Sequence, residues 1–227
     1  MTVAAHFRLV GRDQEIANGN SQTCLPGMLD APPHVSYGAA MAVKAGRYRF
    51  GSDRDRLVIR TSRDGMAAQA GHDLTIEAAR WSGELTIGDD LAPAALEVKV
   101  DMGALVVREG TGGIKPLTDR DRRDIGAQMR KLLATDRNPE AVFAATAFEP
   151  DAAGGGVISG TFTLVGVARP LGLTVSQTGP DRYRATGTVL HSGYGIKPYS
   201  AFLGALKVRD AVEVEADVDL SAAEPAG

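Results

Sequence analysis

The sequence predicts a mainly β protein, an antiparallel barrel carrying one inserted α-helix at about residues 119–133. Three observations predict it. Residues 157–170, 182–190 and 211–220 alternate apolar with polar, the period of strands with one buried and one solvated face. Glycine supplies 27 of the 227 residues while aromatics make up 5%, a composition suited to many tight turns between strands of small side chains. A helical period persists in a single segment only. Strands joined by short Gly, Pro and Asp turns protect their edges most simply by closing on one another.

Residues 1–44 carry no sustained apolar period. Gly11–Glu15, Asn18–Gln22 and Asp30–His34 are polar or turn-forming, which reads as a disordered or loosely attached leader, with Met28 and Met41 as later possible starts. Residues 45–221 read as one barrel domain, whose character is set from Gly46 on. Asp55–Thr61, Leu74–Ala79 and Trp81–Ile87 read as strands. In Ala95–Met102, Leu96, Val98, Val100 and Met102 share one face and Glu97, Lys99 and Asp101 the other, and Ala104–Arg108 continues the strand beyond a bulge at Gly103.

The helix begins at Thr118 as N-cap, with Asp121 three residues on as a capping-box partner and Asp119 at the positive end of the dipole. Ile125, Met129, Leu132 and Leu133 form its one apolar stripe, and Pro139 prevents its continuation. Ala141–Phe148 returns to extended structure, Gly154–Gly156 is a turn, strands run on to Leu220, and residues 222–227 form a frayed tail. One helix among eight to ten strands suits a barrel with a helical lid.

Several function classes are disfavoured. A net charge of −3 argues against a general nucleic-acid binder, and Arg120, Arg122, Arg123, Arg130 and Lys131 read as a solvated helix face. Cys24, the only cysteine, can neither pair internally nor build a thiolate metal site. No secretory signal or membrane span is evident, so a cytoplasmic protein is expected.

No nucleophile elbow or Walker loop occurs; Gly110–Gly113 reads as a plain loop. His72-Asp73 could bind a cation only with further ligands, which the surrounding strands do not offer, so His72 reads as bonded at a strand entrance. His191 likewise reads as structural. Glu213, Glu215, Asp217 and Asp219 alternate outward as edge-protecting charges. Neither a catalytic residue, a metal nor a cofactor is expected.

The order of elements from Gly46 to Leu220 resembles the YceI-like family, lipocalin-like barrels that bind polyisoprenoid lipids. Four places carry the resemblance. Arg120–Asp124 leads into Leu132–Phe143, similar to the family's charged helix and its "P-x-x-x-F" strand. Ile158–Leu171 is similar to its "G-x-L-T-x-x-G-V-T-K-P" hairpin. His191–Ile196 is similar to "R-x-x-F-G-I", and Val208–Val214 to the closing "V-x-D-x-V-x-I" strand. The chain departs where members often carry a His-Ser pair, here Asp55-Arg56, while the next strand's His survives as His72.

The resemblance implies a lipocalin-like barrel that carries or sequesters an apolar, isoprenoid-like or other lipid without catalysis. Leu96, Val98, Val100, Phe162, Leu164, Leu173 and Val175 would then line a cavity, with Ile125, Met129 and Leu132 closing it. The residues alone leave a second reading open: a solid core whose basic helix meets a protein partner in a stress-response or interaction role. Oligomeric state stays open, a dimer included.

Overall fold

The computed structural model of the chain describes residues 44–89, 92–221 and 223–224. The expected leader lies outside the described residues except for Lys44, and so does the expected tail except for Ala223 and Glu224.

In chain order the strands are β1 Gly46–Gly51, β2 Arg56–Thr61, β3 Arg63–Asp64, β4 Asp73–Ala78, β5 Trp81–Ile87, β6 Pro93–Asp101 and β7 Leu105–Thr111. The helix α1, Asp119–Leu132, follows. Then come β8 Glu140–Pro150, β9 Gly156–Leu164, β10 Val167–Gly179, β11 Arg182–Leu190, β12 Ser200–Ala201, β13 Leu206–Val208, β14 Ala211–Asp219 and β15 Ala223–Glu224.

Eight staves make the barrel, three of them interrupted strands. β1 and β2 form one stave, because both pair antiparallel with the single run β4–β5: Gly51 lies opposite Ser82, and Val58 opposite Glu77. β6 and β7 form another, pairing with that same run from Ile87↔Pro93 to Asp73↔Thr111. Neighbour then follows neighbour through β8, β9, β10, β11 and β14, and β14 pairs with β2 from Asp217↔Arg56 to Glu213↔Arg60. That last ladder closes the barrel. β15 adds a short pairing to the outer edge of β1, and β12–β13–β3 make a small separate sheet at one end.

The expected strands lie where the alternation puts them, and α1 carries the capping box. Thr118 N–H donates to Asp121 Oδ2 at 2.8 Å, and Asp121 N–H donates to Thr118 Oγ1 at 3.2 Å. Two features differ from the sequence reading. The break near Gly103 is a 3-10 turn, Met102–Ala104, held by Asp101 Oδ1 accepting from Gly103 N–H. β1 is an additional strand: Tyr48 and Phe50 alternate inward between Arg47 and Arg49, a four-residue signal too short to stand out beside the leader.

The outer face is held by cross-strand ion pairs, Arg184–Asp217 at 2.7 Å and Arg60–Glu215 at 3.0 Å among them. Val58, the largest fully buried side chain among the described residues, lies opposite Glu77, on which Arg56 and Arg108 converge. The Arg108 guanidinium bonded to Glu77 holds its carboxyl below the usual range. Such pairs contribute little individually on a wet surface.

The seam between β1 and β2 is tied by one carboxylate. Asp55 Oδ2 accepts from Gly51 N–H and Oδ1 from Asp219 N–H, both at 2.9 Å. It thereby joins the two halves of the first stave to the end of the last. Charge-assisted bonds of this kind contribute about 1.5–3 kcal/mol each. Asp55→Ala is expected to cost about 2–4 kcal/mol in urea unfolding, whereas loss below about 0.5 kcal/mol would show that the seam holds without it.

Candidate functional site

Alternation brings one side chain in two from every stave to the barrel axis. These inward residues do not fill it. The lumen is a cavity of about 1230 Å³, lined almost throughout by aliphatic and aromatic carbon and partly open to solvent. Ligand sites commonly span about 300–1,000 Å³, so this one is large. Leu96, Val98, Val100, Phe162 and Leu173 face it and are only half-buried, although each lies within a paired strand. In a close-packed core such positions would touch neighbours on all sides.

All ten residues expected from the sequence border this space. Leu96, Val98 and Val100 come from β6, Phe162 and Leu164 from β9, and Leu173 and Val175 from β10. Ile125, Met129 and Leu132 face it from α1. The interior is therefore hollow.

Three inward glycines help keep it so. A Cβ on Gly83 would strike the Phe50 ring at 2.1 Å, one on Gly160 the Phe143 ring at 2.6 Å, and one on Gly187 the Leu173 side chain at 2.5 Å. Each large neighbour thus occupies the space over a glycine that a Cβ would otherwise fill. Glycine at inward positions of otherwise alternating strands is a sequence signal for this arrangement.

The two ends differ. At one, Tyr48, Ile87, Val175, Tyr183 and Leu220 pack into a plug. At the other, strands β2 and β7 end, β4 begins, and α1 crosses. Here the lining turns polar, with Arg63, His72, Lys115, Asp124, Gln128 and Lys207 at the margin of the apolar space. Arg63 stitches the mouth: its guanidinium donates to Gly71 O at 2.7 Å and lies 3.8 Å from Asp73, whose Oδ1 also accepts from Arg63 N–H.

His72 Nε2 lies 2.8 Å from Lys115 O, the strand-entrance bond expected of it. Among the described residues, no three His, Cys, Asp or Glu side chains converge on a possible metal position.

His191 lies deeper than the sequence suggests. It borders the cavity, and its Nδ1 is buried with no protein partner. Burial pushes its pKa below the ordinary value, while nearby Asp210 opposes that shift more weakly. Asp210 itself is held below the usual carboxylate range by hydrogen bonds from the Ser192 hydroxyl and backbone N–H. Thr61 Oγ1, Trp81 Nε1 and Tyr183 OH are also buried without partners, and all three residues line the same space. Four polar atoms of lining residues thus lie covered behind the apolar wall, without a partner in the protein.

The YceI-like domain family matches residues 58–220 of this barrel. The chain belongs to that family. Among solved structures, BcnA of Burkholderia cenocepacia aligns over 74% of this chain and 96% of its own, at 14% identity and a TM-score of 0.52. At that identity the likeness speaks for the fold alone. A Campylobacter jejuni YCEI protein aligns over 63% of this chain and 83% of its own, at 17% identity and a TM-score of 0.43. A mutant of it with a monobromobimane guest aligns over the same shares at 14% and 0.44. No curated protein matches the chain.

Three groups with lowered pKa values set the pH behaviour of this YceI-like domain, all in the same sense but in different pH ranges. His191 is kept neutral in the folded state, so below about pH 6.5 the unfolded chain binds a proton that the folded one refuses. Stability therefore falls as pH drops through about 6.5 and stops falling, on this account, below the depressed folded value. The contributions of Asp210 and Glu77, whose folded pKa values are lowered, are lost only in the carboxylate range further down. His191→Gln should flatten the decline in urea midpoint between about pH 7.5 and about pH 5.5; an unaltered slope would place the titrating group elsewhere.

Proposed function

We propose that this protein binds an apolar, elongated lipid of isoprenoid-like or similar chemistry inside the barrel, for carriage or sequestration and without catalysis. The observation that carries this reading is the cavity: about 1230 Å³ of apolar space that the protein's own side chains leave unfilled, plugged at one end and polar at the other. Strands of nine residues, such as β6, β9 and β14, tilted as in small barrels, give the lumen a height of roughly 20–25 Å. That is long enough for an extended chain lying along the axis.

The energetics need no reactive group. Moving a hydrocarbon chain from water into this lumen contributes about 0.8 kcal/mol per CH2-sized unit. A ligand of ten such units would thus gain about 8 kcal/mol before the cost of ordering it is subtracted. The wall distinguishes little along the chain, because it is uniformly apolar. Recognition of a polar end falls to the mouth, where Arg63, Lys115, Lys131 and Lys207 stand against Asp121 and Asp124, and a phosphate or other anionic head fits that balance. The family itself favours a binding role, since the resemblance is to barrels that hold lipids.

Organic extraction and native mass spectrometry of gently purified protein test the reading; a stoichiometric lipid is expected. Val98→Trp separates a true void from loose packing. Its indole would enter the lumen beside Val100 and Leu96, displacing most bound lipid while changing stability by less than about 1 kcal/mol. A cost of about 2–3 kcal/mol with no lipid in either protein would mean that the space closes in solution.

A further inference from the structure

Apolar side chains that stay in water are concentrated at the mouth. Among the described residues nine large hydrophobics are exposed, and five of them belong to three loops around the mouth: Met66, Ile114, Tyr199, Phe202 and Leu203. Four of these are the most exposed of all, at 97% for Met66, 80% for Ile114, 67% for Phe202 and essentially complete exposure for Leu203.

The loops form one rim. Ala67 N–H donates to Ala205 O at 2.8 Å, and Gly65 packs against the same carbonyl, which sets Met66 beside the 202–205 turn. Gly71 packs on the Leu206 side chain, and Gly113 on the His72 ring, which in turn reaches Lys115 O. Ile114, Tyr199 and Leu206 border the cavity themselves. The apolar tips are therefore continuous with the apolar lumen.

The turn that carries Phe202 and Leu203 is informative in its own right. Both residues sit at positive φ, 50° and 54°, between the paired strands β12 and β13. Asn and Gly suit such positions, and bulky residues there are strained. Local conformation therefore does not explain Phe-Leu at this tip, and neither does packing, because both side chains point into water.

Behind the tips stands a collar of cations. Lys115, Lys197, Lys207 and Arg209 are exposed and make no ion pair among the described residues. Of the rim's carboxylates, Asp73 is paired with Arg63 and Asp124 with Arg120, while Asp64 and Asp210 accept from the uncharged donors Gly65 N–H and Ser192, so the four cations outnumber the carboxylates left without a cation there. Projecting apolar tips backed by unpaired lysines are the pattern of a surface that inserts shallowly into a bilayer bearing anionic headgroups.

We propose that this rim docks on an anionic membrane, with Phe202, Leu203, Met66 and Ile114 entering the headgroup region and the lysines meeting phosphates. The cavity mouth then opens onto the bilayer, and an apolar ligand passes between the two without crossing water. Docking stands on the rim alone; the exchange step rests on the lipid-binding reading above.

Flotation of the full chain with phosphatidylcholine vesicles, with and without phosphatidylglycerol, tests it. Uptake of N-phenyl-1-naphthylamine reports on the cavity in parallel. The expected result is binding that requires phosphatidylglycerol and weakens with salt. It should fall roughly tenfold or more in Phe202→Ser/Leu203→Ser and in Lys197→Glu/Arg209→Glu, neither pair lining the cavity, with dye uptake unchanged. Absence of vesicle binding, or binding indifferent to both double variants, would overturn the proposal. A dimer that Phe202→Ser/Leu203→Ser dissociates, without vesicle binding, would assign the rim to a second copy and also overturn it. Vesicle binding with no dye uptake would leave docking standing and remove the lipid-cavity reading instead.

Discussion

The ladder between β14 and β2 is the constraint on which the rest depends. Five register pairs, Asp217↔Arg56 through Glu213↔Arg60, join the last long strand to the first stave. Without them the sheet would have two open edges, and its apolar face would meet water along its whole length. With them every inward residue faces the same enclosed space. Asp55 extends that closure beyond the ladder, where the first stave breaks between Gly51 and Arg56 and backbone pairing alone would lapse. The same closure separates inside from outside: the outer face carries cross-strand ion pairs, and the inner face carries almost no charge until the mouth.

A closed barrel is not automatically hollow. Eight staves enclose a lumen that side chains can just fill. Here the wall is lined by aliphatic residues of moderate size, and Phe50, Phe143 and Leu173 lie over Gly83, Gly160 and Gly187. The scarcity of aromatic residues, 5% of the chain, acts in the same direction. An unfilled apolar interior forfeits packing energy, and a bound hydrocarbon chain would restore it. The protein's stability and its ligand are thus coupled through one volume, since whatever binds only the folded barrel also stabilises it.

Much of this was legible in the sequence because strand alternation and inward orientation are the same fact seen at two scales. Leu96, Val98 and Val100 share a face in the sequence and a lumen in space; Ile125, Met129 and Leu132 share a stripe and meet that lumen from α1. The capping box at Thr118 and Asp121 was readable because both partners lie within one turn. What the sequence hid depends on contacts between distant segments. β1 was obscured because its alternation lasts four residues, and Asp55 because its partners Gly51 and Asp219 meet only after closure. The depth of His191 follows from its position at the end of β11 beside the cavity, which no local pattern announces. The exposed rim was hidden for a different reason: Phe202 and Leu203 look like core residues in sequence, and only their turn geometry turns them outward.

The central claim is that the barrel holds an elongated apolar ligand along its axis, and the most direct measurement is a high-resolution crystal structure of the protein purified without detergent or organic solvent. The account predicts continuous, unbranched or regularly branched density running from the plug at Tyr183 toward Ile125 and the polar mouth, with Val98, Phe162 and Leu173 in van der Waals contact with it. A lumen closed by inward movement of those three side chains, or filled by an ordered hydrogen-bonded water chain, would contradict it.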